Sequence, residues 1–260
     1  MEPAAAPDRR DRIGFTSELG CRVSPDGDTL VGRGPVVPEL CIPGVGVARP
    51  SVLLAWADIL TGSLANEFTL PRVCMTVDLS VRIVRPIPAG AELVAVGRIL
   101  KTGATLTFGE TTFSIAGDDD VIAESLATFV ASPRPQDLGG SRGEMAAQAP
   151  GRMSAPPAPL AELLGSRVVA PGVVEADRHE RILNWAQTVQ GGAVASLAEE
   201  AVLALDDPPV PSELEVRYLA AVRVGPMRAT ARRLGAWVRI EVVDVGNDGR
   251  LAAVAVARGD

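Results

Sequence analysis

Two stretches of this chain read as helices that are apolar on nearly every side, and each carries acid where burial makes acid expensive. Residues 191–205 run Gly191-Gly192-Ala193-Val194-Ala195-Ser196-Leu197-Ala198-Glu199-Glu200-Ala201-Val202-Leu203-Ala204-Leu205, and residues 51–65 form a similar run broken only by Asp58. A helix without a polar face has to be wrapped by other structure. Adjacent helical side chains point about 100° apart, so of Glu199 and Glu200 one can reach solvent while the other needs a partner or a job. Gly191 and Gly192 stand where the first N–H groups of a helix lack an intrahelical acceptor, and with no side chain they let an oxygen atom approach closely.

What does the wrapping is legible from the change of period that follows each helix. Residues 73–85, 91–102, 104–116 and 121–131 are rich in Val, Ile, Thr and Phe. Turn signals at Pro86-Ile87-Pro88-Ala89-Gly90, Lys101-Thr102-Gly103 and Gly117-Asp118-Asp119-Asp120 separate them, which predicts an antiparallel meander. A looser strand, 29–38, precedes the first helix after a turn at 24–27, and a short helix is expected within 10–21 behind a frayed tail. The second half repeats this order: a strand at 167–178, the helix at 190–205, then strands near 213–221, 227–235, 237–245 and 251–258.

Two local matches fix the register of the repeat. Leu79-Ser80-Val81-Arg82, with Gly90 eight residues beyond the arginine, answers Leu214-Glu215-Val216-Arg217 with Gly225 at the same distance. Leu54-Ala55-Trp56-Ala57-Asp58 answers Ala195-Ser196-Leu197-Ala198-Glu199, at an offset differing by six residues, which one loop change absorbs. The class is therefore α+β, each half an antiparallel sheet around one helix. The boundaries are an N-terminal unit at 1–132, a Pro, Gly and Ala-rich linker at 133–159, and a C-terminal unit at 160–260.

Composition narrows the function. A formal net charge of −7 argues against a nucleic-acid partner. No apolar run approaches a membrane span, and the polar start is unlike a signal peptide, so a cytoplasmic location is expected. Cys21, Cys41 and Cys74 have no metal-like spacing and read as reduced structural thiols. The single histidine, His179, sits in a charged loop segment and is no candidate for catalysis.

Asn184, then Gln190-Gly191-Gly192, then Leu197-Ala198-Glu199, then a strand opening on Leu-x-Val-Arg, resembles the hotdog-fold acyl-CoA thioesterases, in the branch typified by phenylacetyl-CoA thioesterase. That family's motif has Asn, a His-Gly-Gly six residues on, and an Asp or Glu nine residues after the His; Gln190 departs from the His. The resemblance covers both halves and implies two tandem hotdog domains. It implies an acyl-CoA substrate, with coenzyme A part of the substrate and no separate cofactor or metal. A homodimer of such double chains is compatible with it.

Helix arithmetic then constrains the site. Gln190 and Glu199, nine residues apart, lie roughly half a turn opposed and roughly 13 Å apart along the axis. The glycine-rich start of one helix must therefore work with the acid of the other, as in the family's dimeric sites. Site one combines Asn184, Gln190, Gly191 and Gly192 with Asp58, and gains Thr76 from the family's habit of placing Ser or Thr early in the next strand. There the glycine N–H groups and the Asn184 amide would hold an oxyanion, and Asp58 would activate water or attack directly, with Thr76 orienting the water. Site two combines Glu199 with Pro43, Arg49, Pro50 and Ser51; Pro50 has no N–H to donate and Pro211 stands where Thr76 should be, so it reads as degenerate. The bland readings are that Asp58 merely reaches solvent, that the glycines serve close packing, and that Asn184 caps a turn. Arg82, Arg85, Arg217, Arg223 and Arg228 read as solvated strand edges or as a route for CoA phosphates. The alternative function is a catalytically inactive acyl-CoA-binding hotdog protein; a dehydratase or hydratase would need an Asp/His or His/Glu pair that the one poorly placed histidine does not supply, and the acids inside apolar helices argue against a scaffold.

Overall fold

In the computed structural model, residues 15–133, 156–184 and 187–259 are described. They form strands β1 (Arg22–Asp26), β2 (Thr29–Pro35), β3 (Cys74–Ile83), β4 (Glu92–Thr102), β5 (Leu106–Ile115), β6 (Ala123–Ala131), β7 (Ser166–Ala170), β8 (Val173–Ala176), β9 (Pro211–Tyr218), β10 (Met227–Leu234), β11 (Trp237–Asp244) and β12 (Arg250–Gly259). The helices are α1 (Pro50–Thr69), α2 (Leu160–Leu164) and α3 (Gly191–Leu203). All twelve strands join one antiparallel sheet in the order β1-β2-β4-β5-β6-β3-β9-β12-β11-β10-β8-β7. The last six places repeat the first six in reverse. At the seam, Asp78 pairs with Arg217 and Arg82 with Glu213, with Ser80 opposite Glu215 between them. That pairing maps onto itself when the halves are exchanged, so a pseudo-twofold axis passes through Ser80 and Glu215.

Both long helices lie on the inner face of this sheet and against each other. Leu53, Leu54, Trp56, Leu60 and Leu64 of α1 and Leu197, Ala198, Ala201 and Val202 of α3 are buried. Inner strand positions such as Leu79, Val81, Leu214, Val216, Phe113 and Phe129 complete the core. α1 opens with Pro50 in its first turn, where a missing N–H costs nothing. The helices come close where both are small: a side chain at Gly192 would start 2.9 Å from the Ala55 Cβ. Ala55, Ala193, Ala195 and Ser196 are all fully buried, in keeping with this close approach.

Several expectations need correcting. The strand expected over 167–178 is a hairpin of β7 and β8, because Pro171-Gly172 turns the chain with Gly172 at φ +70. In the first half, β4, β5 and β6 form the meander, but β3 lies beside β6 and β9 and not beside β4. The turn read at 24–27 starts later, since Arg22–Asp26 is strand. Within 10–21 the chain forms a 3-10 turn at Phe15–Leu19, and Trp56 Nε1 donates to the Leu19 carbonyl at 3.0 Å. Residues 1–14 of the expected tail and 134–155 of the expected linker lie outside the described residues; 160–164, the start of the C-terminal unit, is the short helix α2.

Candidate active site

The site starts with a bulge. Leu79 and Val81 alternate inward along β3, which by simple alternation would turn Thr76 outward. The β3–β6 register shifts between Thr76 and Asp78, leaving Val77 as the extra residue. The bulge turns Thr76 to the inner face, where its Oγ1 donates to Asp58 Oδ1 at 2.7 Å. Asp58 lies on α1 and is half-buried. Burial pushes its carboxyl up to about 6, with the Thr76 hydrogen bond pulling the other way. The result is a carboxylate with one oxygen held and the other facing across the helix interface.

Opposite it stands the first turn of α3. A Cβ built on Gly191 would lie 3.6 Å from Asp58 Oδ2. Asp58 of the first half and the glycine start of the second therefore do meet, as the helix arithmetic requires. Gln190 is the N-cap of α3 in extended conformation, and its side chain does not cap the helix. Its Nε2 donates to the Leu183 carbonyl at 3.2 Å, and its Oε1 is buried without a hydrogen-bond partner. The N–H groups of the first α3 turn have no acceptor within the helix. A small anionic oxygen near Gly191 would meet unsatisfied donors on one side and a titratable carboxyl on the other.

Asn184 is held within its own loop. Its Nδ2 donates to Thr188 Oγ1 at 2.9 Å and its Oδ1 accepts from the Thr188 N–H at 3.1 Å. These bonds organise the loop before α3 rather than reaching towards Asp58. A residue the sequence reasoning missed takes a place beside the carboxylate: Tyr218, the last residue of β9, donates its hydroxyl to the Gly191 carbonyl at 2.9 Å. Burial, with Asp58 and Asp78 nearby, pushes its phenol well above the usual range, so it stays protonated. Cys74, at the start of β3, donates to the Gly62 carbonyl at 3.2 Å, and burial and Asp58 push its thiol up to about 12, which leaves it inert.

The pseudo-equivalent position is occupied differently. Arg49 Nε donates to Glu199 Oε2 at 2.7 Å, Arg49 Nη1 to Glu200 Oε1 at 2.6 Å, and Ser51 Oγ to Glu199 Oε2 at 2.5 Å. Arg49, Ser51 and Glu199 are buried. Burial works against the guanidinium charge, but the two glutamates outweigh it and hold the arginine's pKa raised. Under the seam symmetry Pro211 answers Thr76 and Ile83 answers Tyr218. The carboxylate there is closed inside an ion pair, with Glu199 Oε1 and Arg49 Nη2 left without partners.

Other candidates lie elsewhere. His179 is half-buried with Nε2 3.1 Å from the Leu164 carbonyl, a structural contact at the end of α2. Arg82, Arg85, Arg217 and Arg228 all pair with carboxylates. Among the described residues no cluster of His, Cys, Asp and Glu could hold a metal ion, and no helix is long and apolar enough to cross a membrane.

Comparisons with known proteins bear on the fold. Residues 46–122 match the thioesterase superfamily model. The sequence has no match among curated proteins. Among solved structures, the fold is similar to a putative oleoyl thioesterase from Lactobacillus plantarum (TM-score 0.60, 13% identity, 92% of this chain and 97% of that one). It is similar to an acyl-ACP thioesterase from Bacteroides thetaiotaomicron (TM-score 0.62, 11% identity, 89% and 97%). A 12:0-ACP thioesterase from Umbellularia californica is similar as well (TM-score 0.61, 12% identity, 90% and 98%). In sequence over residues 46–122, and in fold over nearly its whole length, the chain resembles the hotdog-fold thioesterases.

Proposed function

We propose that the chain is an acyl-CoA thioesterase built of two hotdog units in tandem, 1–132 and 160–260 joined by 133–159, with one working site shared between them. The observation that carries this is the apposition of Asp58 on α1 to Gly191 at the start of α3. In this reading the thioester carbonyl sits against the first-turn N–H groups of α3, which take up the negative charge that develops on its oxygen. Asp58, ionised near neutral pH and partly stripped of water, draws a proton from a water molecule that adds to the carbonyl carbon, or adds itself. Thr76 holds the carboxylate in orientation. Collapse of the tetrahedral species expels the CoA thiolate: where water has added, the product is the free acid, and where Asp58 has added, it is an acyl-Asp58 anhydride that a water molecule then hydrolyses to the free acid and the regenerated carboxylate. The acyl group is left open by this reading; acyl-ACP substrates are included in its test because two of the similar folds act as acyl-ACP thioesterases.

A free-thiol assay over a panel of acyl-CoA and acyl-ACP thioesters tests it, comparing wild type with Asp58→Asn and Glu199→Gln. Loss of about 10²–10⁴-fold in kcat in the first variant alone supports the assignment. Loss in the second alone moves the working site to Glu199. Binding of acyl-CoA without release of thiol from any substrate leaves the inactive acyl-CoA-binding protein as the function.

A further inference from the structure

Tyr218 belongs to the second half, yet it closes the site around an acid of the first. It ends β9, whose inner-facing residues Leu214 and Val216 are buried, and continues their alternation onto the inner face. Its ring stands against the α-carbon of Gly191: a Cβ built there would lie 3.4 Å from both Cζ and Oη of Tyr218, while Asp58 Oδ2 is 3.6 Å from the same point. The hydroxyl donates to the Gly191 carbonyl at 2.9 Å. The fold does not need that bond, because the other half reaches the same architecture with Ile83 and Pro50 at the corresponding places. Tyrosine and glycine occur together only beside Asp58 and Thr76.

We propose that Tyr218 is a positioning residue that fixes and polarises the Gly191–Gly192 peptide, so that the Gly192 N–H is aimed at, and strengthened as a donor to, the oxyanion. The assignment of an oxyanion rests on the thioesterase reading; the fixing of the peptide does not. The physical argument has two parts. Two successive glycines are the least restrained residues available at a helix start, and a hydrogen bond to the carbonyl between them locks the plane that also carries the Gly192 N–H. Donation to that carbonyl also draws electron density through the amide and makes its N–H a stronger donor. With its phenol held protonated, Tyr218 acts throughout as a donor and never as a base.

The test is Tyr218→Phe, which keeps the ring and removes the hydroxyl. The chain has two Gly-Gly steps, Gly139-Gly140 and Gly191-Gly192. Labelling with carbonyl-¹³C, ¹⁵N glycine therefore isolates two amide resonances, of Gly140 and Gly192, without a full assignment. We expect the Gly192 amide proton to move upfield in Tyr218→Phe while Gly140 stays in place. We also expect kcat on the best thioester to fall about tenfold with KM changed less than twofold. An unmoved Gly192 resonance overturns the inference whatever the activity. An unchanged kcat in an active protein, or an effect confined to KM, overturns it too. A moved resonance in a protein that turns over no thioester supports the fixed peptide and counts against the hydrolase reading alone.

Discussion

In the proposed reading, Asp58 sets the chemistry through its partial loss of solvent. Its carboxyl is pushed up to about 6 from an ordinary 3.8 by burial, against the Thr76 hydrogen bond. If Asp58 is the base, kcat/KM rises with pH through a single ionisation near 6 and levels above it; a pH-rate profile with its inflection near 4 would remove Asp58 from that role. The stability consequence has the opposite sense. Between 3.8 and about 6 the folded state holds a proton that the unfolded state has released, so this group lowers stability as pH rises through that window, and the penalty is complete above about 6. Asp58→Asn should accordingly raise Tm at pH 8 and lose that advantage as the pH approaches 4, measured by melts at both. A variant that is inactive and more stable at neutral pH is the mark of a strained working residue. Asp58 was legible in the sequence, because an acid in an apolar helix has few explanations. Tyr218 was not, because a tyrosine at a strand end is unremarkable until the register places it against the opposite helix.

Between elements, the packing of α1 on α3 decides both pseudo-equivalent positions. Gly192 meets Ala55 closely enough that Gly192→Ala forces the helices apart, at a cost of about 1–3 kcal/mol; Ala55→Gly in the same chain should recover much of it, which a double-mutant cycle in urea measures. At the other end of the crossing, Arg49 is sealed between Glu199, Glu200 and Ser51. Arg49→Ala strands a buried carboxylate and should cost about 3–5 kcal/mol, whereas Arg49→Met with Glu199→Leu should cost much less. A double variant as damaged as the single would mean that the pair contributes more than its mutual neutralisation. The sequence marked Arg49, Ser51 and Glu199 as counterparts of the motif and as degenerate, but not the ion pair that joins them. Residues 148–150 apart gave no local sign of contact. The β7–β8 hairpin was missed for a local reason: Pro171-Gly172 was a turn signal inside what the apolar pattern suggested was one strand.

The whole molecule is organised about the β3–β9 seam, where Ser80 faces Glu215; in the proposed reading each half supplies the other's missing part of the site. Expressed separately, 1–132 and 160–260 should each be inactive in the thiol-release assay, the first having Asp58 without Gly191 and the second the reverse; mixing them should restore turnover. Activity in either half alone would refute a shared site. From the residues came the α+β alternation, the repeat, the two apolar helices and the need for the acid of one to meet the glycines of the other, since these depend on periodicity and on distances along a single helix. Only the folded chain decided that β3 joins β9, that a bulge at Val77 turns Thr76 onto Asp58, that Tyr218 holds Gly191 and that Arg49 closes the opposite position. Each of those depends on strand register or on contact between distant segments, and neither is written in the spacing of neighbouring residues.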